Sequence, residues 1–356
     1  MSEPTLRDVA RACGCSVATV SRVLAGTRPV GAETTRRVRR AAEELGYRPN
    51  QVARALRSRS TGTVGLVLPQ ITNPFYPTLV RELTHALHAD ARAVLLADCD
   101  DDPAIEASRI ESLLARQVDA LLVVPVDAER SAEAVAAAAA RVPLVLLDRS
   151  CGPGVADSVA VDNTAGMALV LDHLAAAGRR RFCFIGAAGT TSSAAERRAA
   201  YEATATAHDP LAAERIELGD FSVEWGREAV GRLWAGPEGT TAGDRPDAVV
   251  CGNDLIAVGA LQQLRQLGIG IPRQAAVTGF DDIPMASVAE PAVTTVRQPV
   301  SELAAEAARL LDRRLTGADP ATAPQRTLRL APELVVRAST SPDPNSPPST
   351  QKAAVQ

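Results

Sequence analysis

From Thr63 onward the chain alternates between short apolar runs and helix-length stretches, and that alternation leaves few folds open to it. TVGLVL (63–68), AVLLA (93–97), DALLVVP (119–125), PLVLLD (143–148) and SVAVD (158–162) are apolar along their length rather than at every second residue. Such strands are buried on both faces, as in parallel sheets covered by helices. The intervening stretches, to about Asp90, from Pro103 to Gln117, and alanine-rich to Arg141, have room for the crossover helices that parallel strands need. The pattern then restarts. A helix from Thr164 to Ala177 precedes FCFIG (182–186), a helix from Ala194 to about Ala207 and a strand near Ile216. A helix to about Trp234, AVVCG (248–252), a helix to Leu267 and AAVTGF (275–280) complete the second set. Two sets imply two α/β lobes of roughly 100–130 residues each, with small ligands expected between them at the carboxyl ends of the strands. At 46% hydrophobic and 3% aromatic over 356 residues, the chain can fill two or three cores, mostly with Ala, Val and Leu.

The first sixty residues follow a different rule. In TLRDVARACGCSVATVSRVLAG (5–26), Thr5 and Asp8 have the spacing of a capping box. Leu6, Val9, Ala10 and Cys13 then recur at helical spacing, and Gly14 supplies the positive φ of a tight turn. Ser16 caps a second helix with Val17, Val20, Val23 and Leu24 as its apolar positions, leaving Ala18, Thr19, Ser21 and Arg22 on its remaining surface. Little bulk, hydroxyls for phosphates and one guanidinium fork suit a helix that enters the major groove of DNA. A loop from Thr27 to Val30 leads to a third helix, about Glu33 to Leu45, with Val38, Ala41, Ala42 and Leu45 inside, its arginines outside and Gly46 ending it. An extended joint follows at Tyr47 to Asn50. The segment from Gln51 to Arg57 is too short to hold a helix alone in water, and SRSTG (58–62) links it to the first strand.

Charge separates the same two regions. Twelve arginines and five carboxylates give residues 1–60 a charge of +7, leaving −11 on the remainder of a chain whose net charge is −4. A basic head on an acidic body is the electrostatic footprint of a polyanion-binding module. No apolar run approaches the roughly 20 residues that span a bilayer, and Ser2, Glu3 and Pro4 leave no room for a signal peptide before the first helix. A cytoplasmic protein with no membrane association is expected. Of the six cysteines only Cys13 and Cys15 are close, and C-x-C without further ligands is not a zinc pattern. Cys99, Cys183 and Cys251 sit in apolar strand-like runs, so neither a metal nor a disulfide role is expected of the cysteines. From Ser341 the chain is rich in Pro and Ser, and residues 341–356 are expected to be a disordered tail.

These motifs, in this order and spacing, resemble the lactose-repressor and purine-repressor family of bacterial transcription regulators up to about residue 338. The resemblance rests on residues 5–26 and on LGYRPN, ARALRS, TVGLVLP and NPFY. It extends through VDNTAGMALVLDHLAAAGRRRFCFIG, GNDLIAVGAL, TGFDD and PAVTTVRQP. It implies an all-α three-helix helix-turn-helix head (1–48), a hinge helix and linker (49–61), and a two-lobed periplasmic-binding-protein-like core with parallel sheets (62–340). It also implies a homodimer on palindromic operator DNA. Val17, Ala18 and Arg22 would read bases, and Ser16, Thr19 and Ser21 would hold phosphates. Leu6, Tyr47, Asn50 and Ala53 would complete the DNA-facing set. Leu56 would be the wedge that a DNA-induced hinge helix presses into the minor groove. Two positions depart from the family habit: Ala25 stands where Asn is frequent, and Gly31 where Ser or Thr would cap the third helix.

The positions matching the family's effector site are Phe75, Tyr76, Asp148, Arg149, Thr191, Ser193, Arg197, Phe221, Asn253, Asp281 and, more weakly, Gln298. Carboxylates and amides for hydroxyl pairs, a guanidinium and flat apolar faces suit a small polar ring. A sugar fits best, because the short hydroxyls of Thr191 and Ser193 argue against a purine. Asp162 is expected to serve structurally where the chain changes lobe. The function expected is a repressor controlled by a small-molecule effector, with no resident cofactor and no metal. The alternatives are a purine- or other metabolite-responsive regulator of the same family, and a solute-binding protein of transport, against which the basic head argues. An enzyme is not expected, since no P-loop, G-x-G-x-x-G or nucleophile–base set is evident and the four histidines do not cluster.

Overall fold

The computed structural model describes residues 4–25, 30–47, 60–235, 245–316, 324–341 and 350–352. It divides into two compact units, Met1–Thr61 and Gly62–Gln356, so the boundary falls where the SRSTG linker ends.

The first unit holds α1 (Leu6–Cys13), α2 (Val17–Ala25) and α3 (Ala32–Glu44). The Thr5 backbone N–H and hydroxyl both donate to Asp8 Oδ2, at 2.9 and 2.6 Å, and so form the start of α1. Gly14 ends that helix at φ 63°. Val9, Val20 and Val38, one from each helix, are fully buried and are joined by Ala10, Val23, Ala41 and Ala42. Burying a valine stabilises by about 1.5–3 kcal/mol, so this thin core holds the head with little to spare. Two residues expected inside are not. Val17 is 42% exposed on the first turn of α2, and Leu45 is 39% exposed because the helix ends one residue earlier and the turn at Gly46 (φ 64°) carries it outward. Gly31 starts α3 without a side-chain cap. The proposed hinge segment 51–57 lies outside the described residues.

The second unit contains two sheets. In the first lobe run β1 (Thr63–Leu68), α4 (Phe75–His88), β2 (Ala93–Asp98), α5 (Pro103–Ala115), β3 (Ala120–Val123), α6 (Ala132–Ala139), β4 (Leu144–Leu147) and β5 (Asp157–Val161). The second lobe takes α7 (Asn163–Ala176), β6 (Phe182–Ala187), α8 (Ser192–Ala205), β7 (Ile216–Gly219), α9 (Val223–Ala235) and β8 (Ala248–Cys251). It continues with α10 (Asp254–Gln266), β9 (Ala276–Asp281), α11 (Pro284–Val288) and β10 (Thr294–Arg297).

The chain then does what its alternating pattern did not announce. α12 (Val300–Thr316) returns to the first lobe, and β11 (Thr327–Leu330) adds a strand there. β12 (Glu333–Val335) goes back to the second lobe. The first sheet therefore runs β2-β1-β3-β4-β5-β11, all parallel. The second runs β7-β6-β8-β9-β10-β12-β13, the last being Thr350–Lys352, with β12 antiparallel to both its neighbours. Leu303, Ala304, Ala307, Leu310 and Leu311 of α12 are buried with Leu66, Leu68, Leu122, Val145 and Leu147, which anchors the returning helix under the first sheet. The lobes are joined by crossings at 161–163, 297–300 and 330–333. Asp162 caps α7 at the first of these by accepting from the Ala165 N–H (2.9 Å), the structural role expected of it.

The tail expectation is corrected at one place. Thr350–Lys352 pairs with β12 as β13, giving partners to backbone groups that an open edge would leave unpaired. Residues 342–349 and 353–356 lie outside the described set.

Two glycines fix the second lobe's helix packing. A Cβ on Gly226 would sit 2.1 Å from the Ile256 carbonyl oxygen, and one on Gly259 would sit 2.0 Å from that of Val223. α9 and α10 thus cross with their backbones in contact, which only glycine permits.

Candidate functional site

The head presents one face of α2 to solvent. Ser16 accepts from the Thr19 N–H (3.1 Å), and its hydroxyl also lies 2.9 Å from that of Thr19, so the helix start is internally bonded. Ser16, Val17, Ala18 and Arg22 are exposed, while Thr19 and Ser21 are half-buried. Val20 and Val23 point the other way into the core. An exposed row of small residues ending in a guanidinium is what a groove-reading helix requires. Leu6 and Tyr47 instead pack against the head core as partly buried residues. Asn50, Ala53 and Leu56 lie outside the described residues. Arg36, Arg37, Arg39 and Arg40 are all exposed on α3, which keeps the head's positive charge on its surface.

The second unit gathers its polar residues where the two lobes meet. Phe75 and Tyr76 open α4 after β1, and Asp148 and Arg149 follow β4. Across the cleft, Ser193 and Arg197 lie on α8, Phe221 follows β7, Asn253 caps α10, Asp281 ends β9 and Gln298 follows β10. All ten line one cavity of about 10 Å³, together with Asn73. Each comes from the carboxyl end of a parallel strand or from the helix that follows it, the location the alternating pattern implied. Thr191 is the exception. Its hydroxyl caps α8 by accepting from the Ala194 N–H (3.3 Å), so this short side chain serves the helix rather than the cavity.

Charge is dense and buried there. Arg197 Nε donates to Asn163 Oδ1 (2.8 Å), its Nη1 donates to the Gly252 carbonyl (2.8 Å) and lies 3.4 Å from Asp281 Oδ1. The guanidinium also stacks 3.6 Å from the centre of the Phe280 ring. Gln298 Nε2 donates to Asp281 Oδ1 (2.8 Å). On the facing lobe Arg149 Nη1 donates to the Pro125 carbonyl (3.2 Å), and Arg149 Nε lies 3.9 Å from Asp148 Oδ2. Burial pushes the Asp281 carboxyl up to about 6 against the opposing pull of Arg197. Burial also raises Asp148, with Arg149 and Arg197 opposing. Asp148 and Asp281 have φ of 60° and 107°, backbone conformations that non-glycine residues adopt at a cost.

Three buried polar atoms around this space, Asp148 Oδ1, Arg149 Nε and Gln298 Oε1, have no hydrogen-bond partner. Such groups are expensive to bury unpaired. They offer two acceptors and one donor to a polar ligand. The cavity has room for about one water. A neighbouring recess of about 570 Å³ shares Phe75, Asp281 and Gln298 as walls and extends along the second and third lobe crossings. On the far side of the cavity the lobes touch directly. The Ser150 N–H donates to Ser192 Oγ (2.8 Å) and the Ala128 N–H to the Thr190 carbonyl (3.1 Å), so the clamp is in a shut form.

Sequence reasoning missed Asn73 and Asn163. Asn73 accepts from the Phe75 N–H (3.1 Å) and so starts the helix carrying the two aromatics; Asn163 holds Arg197. Each was visible only as one letter in a longer motif, in NPFY and VDNTAG respectively.

Comparison with known proteins agrees with both units. Residues 5–50 match the family model described as bacterial regulatory proteins, lacI family, and residues 171–340 match that of the periplasmic binding protein-like domain. The ribose operon repressor of Escherichia coli K12 is 32% identical over 336 residues, covering 94% of this chain and 99% of the relative. A crystal structure of the lac repressor dimer bound to operator and the anti-inducer ONPF aligns with TM-score 0.82 at 26% identity, over 95% of this chain and 99% of that one. The complex of the transcriptional regulator CelR with cellobiose aligns with TM-score 0.68 at 32% identity, over 94% and 99%. With a basic helix-turn-helix head, a two-lobed core and matches spanning nearly its whole length, the chain belongs to the lacI family of bacterial transcriptional regulators and is a DNA-binding repressor with an effector-binding core.

Proposed function

We propose that the effector is a sugar, that it is held where the lobes meet, and that a homodimer of the chain binds a palindromic operator under its control. The observation that carries this reading is the closed set of Asp148, Arg149, Arg197 and Asp281, with three unpartnered polar atoms on residues that line one cavity. Carboxylates accept from vicinal hydroxyls, guanidinium groups donate to ring and hydroxyl oxygens, and Phe75 and Phe221 supply flat apolar faces. The relatives whose names mention ribose and cellobiose support a sugar. A polyol entering a space of about 10 Å³ must part the lobes or extend into the adjoining recess. Either route gives it different affinities for the shut and open forms, which is what allows a ligand to shift a conformational equilibrium.

On the DNA side Arg22 makes a bidentate contact with guanine, Val17 and Ala18 touch base edges, and Ser16, Thr19 and Ser21 hold phosphates. The hinge segment orders on DNA and inserts Leu56 as a wedge. For the homodimer, β2 at the edge of the first sheet exposes Leu95 (40%) and Leu96 (46%), apolar surface that a second copy would cover.

The test is a thermal-shift screen of pentoses, hexoses, disaccharides and purines on the full-length protein, followed by gel shifts on a duplex recovered by in vitro selection. A sugar that raises the melting temperature and changes DNA affinity supports the reading. Stabilisation by purines alone would overturn it.

A further inference from the structure

The cysteines at the turn of the head have different surroundings. Arg37 reaches from α3 across the turn and its Nη2 donates to Cys15 Sγ at 3.3 Å. Cys15 is half-buried, Gly14 beside it turns the chain at φ 63°, and Cys15 Sγ lies 3.5 Å from the Cys13 carbonyl oxygen. The Cys13 thiol in turn donates to the Ala10 carbonyl oxygen at 3.7 Å, so both thiols sit on the same turn. The residue following Cys15 is Ser16, the cap of the helix proposed to read DNA.

We propose that Cys15 is a peroxide-reactive thiolate, that Cys13 resolves it into a Cys13–Cys15 disulfide, and that this closure weakens DNA binding by the head.

The two cysteines have different environments. The guanidinium of Arg37 holds the Cys15 thiol below its ordinary range, while burial and the neighbouring Cys15 raise that of Cys13. The nucleophile is thus the thiolate at Cys15, and Cys13 keeps its proton until the second step. Among the described residues, the charged groups acting on the pair are Arg37 and, beside Arg37, Glu33. In the first step the Cys15 sulfur attacks one peroxide oxygen. The O–O bond breaks, an S–O bond forms, and hydroxide leaves to take a proton as water. In the second step the Cys13 sulfur attacks the Cys15 sulfenic acid. The S–O bond breaks, the S–S bond forms, and the departing hydroxide leaves with the Cys13 proton as a second water. Two thiols lose two electrons and one hydroperoxide gains them.

The spacing places the two Cα atoms within reach of a bridge. Residues two apart span at most about 7 Å, and a disulfide takes Cα atoms about 4.4–6.8 Å apart. Its formation removes the Cys15 sulfur from Arg37, and both sulfurs from the head core against which they now pack. That core is thin and the turn sets where α2 begins, so the helix start must shift. The four remaining cysteines are buried, and burial pushes Cys99 and Cys151 up to about 12, which leaves them poor competitors for the oxidant. Among the described residues no three ligating side chains cluster for a metal.

The experiment uses the full-length protein. Monobromobimane labelling as a function of pH, read by peptide mass spectrometry, is expected to show Cys15 reacting first and with a midpoint below the ordinary thiol range. Arg37→Gln should move that midpoint upward. Hydrogen peroxide should convert the peptide containing both cysteines to a form lighter by two hydrogens, and Cys13→Ser should stop at a sulfenic acid trapped by dimedone. Affinity for the selected duplex should fall about tenfold or more, the loss of one or two base contacts, and return with dithiothreitol. Cys15→Ser should bind DNA as the parent does and ignore peroxide. A labelling midpoint unmoved by Arg37→Gln, oxidation of a buried cysteine before Cys15, or a disulfide form that binds DNA as well as the reduced one would each overturn the proposal. The labelling and mass readouts require no DNA, so they stand apart from the assignment of the operator-reading residues.

Discussion

Asp281 is costly to keep ionised in the cleft, and replacing it with asparagine should make the protein more stable. Its carboxyl ionises near pH 6 in the folded chain against an ordinary value of 3.8, because burial outweighs the help of Arg197 and Gln298. A raised carboxylate pKa stabilises the fold fully below pH 3.8 and loses that contribution as pH rises through 6. At about 1.4 kcal/mol per tenfold change, ionised Asp281 costs the fold about 3 kcal/mol at pH 7 and about half of that at pH 5. Asparagine resembles the protonated acid in shape and charge. It leaves Arg197 with Asn163, the Gly252 carbonyl and the Phe280 ring, so the guanidinium is still partnered. Urea unfolding of Asp281→Asn and the parent, at pH 7, pH 5 and pH 4, should show the variant ahead by about 3 kcal/mol, then about half that, then almost nothing. Taking the difference between the two proteins cancels the titration of carboxyls remote from the cleft. A variant less stable than the parent at pH 7, or a gap that does not shrink toward pH 4, would refute the reasoning. Asp281→Asn should also lose effector affinity, since the carboxylate is kept at this cost for a ligand.

Three further outcomes follow from named contacts. Arg22→Ala should lose about 1–3 kcal/mol of discrimination between the selected duplex and one altered at the contacted guanine, with effector binding unchanged; competition gel shifts measure it, and undiminished preference would remove Arg22 from the base-reading set. Arg197→Ala leaves Asp281 buried without its cation, which costs about 3–5 kcal/mol. Asp281 should then hold its proton to higher pH, moving the pH dependence of stability above 6, and the sugar response should vanish while operator binding persists. Gly259→Ala would place a methyl 2.0 Å from the Val223 carbonyl oxygen, a backbone atom that cannot rotate aside. Overpacking of this kind should cost about 3 kcal/mol or more in chemical denaturation. A loss under about 1 kcal/mol would show that α9 and α10 can slide apart.

The parts of the fold read most easily from the chain were those set by local pattern. Unbroken apolar runs such as TVGLVL marked strands within a residue or two of their observed ends, because a strand buried on both faces needs apolar residues throughout. The capped helices of the head were equally plain, since Thr5, Asp8, Gly14 and Ser16 act on their own neighbours. What escaped was long-range. α12 has the composition of any amphipathic helix, and nothing in it says that it returns to a lobe whose strands ended at Val161. β12 and β13 are three residues each, too short to show a period. The cleft was legible in its residue types but not in its partners. Thr191 reads the same whether it caps α8 or faces a ligand, and only the Ala194 N–H beside it decides. Arg37 was one of several arginines on the outer face of the third helix until its contact with Cys15, twenty-two positions away, set it apart.

The three lobe crossings explain why a ligand so far along the sequence from the head can govern it. Each lobe packs around its own sheet, and the second and third crossings form part of the recess beside the shut cavity. A small change in lobe angle therefore moves whole rigid layers rather than single side chains. In the shut form the angle is fixed by Ser150 with Ser192, Ala128 with Thr190, and the Arg329–Glu196 ion pair. These polar contacts exchange with water at little net cost, and beside them Ile283 and Leu255 of the second lobe pack on the apolar core of the first. The opposing terms are the raised carboxylates and the unpartnered polar atoms of the cavity, which favour either a ligand or hydration. A balance of that kind, a few kcal/mol between large and opposed terms, is the condition for a two-state clamp. The ligand's whole effect on the head is then limited to the difference in its affinity for the two lobe angles.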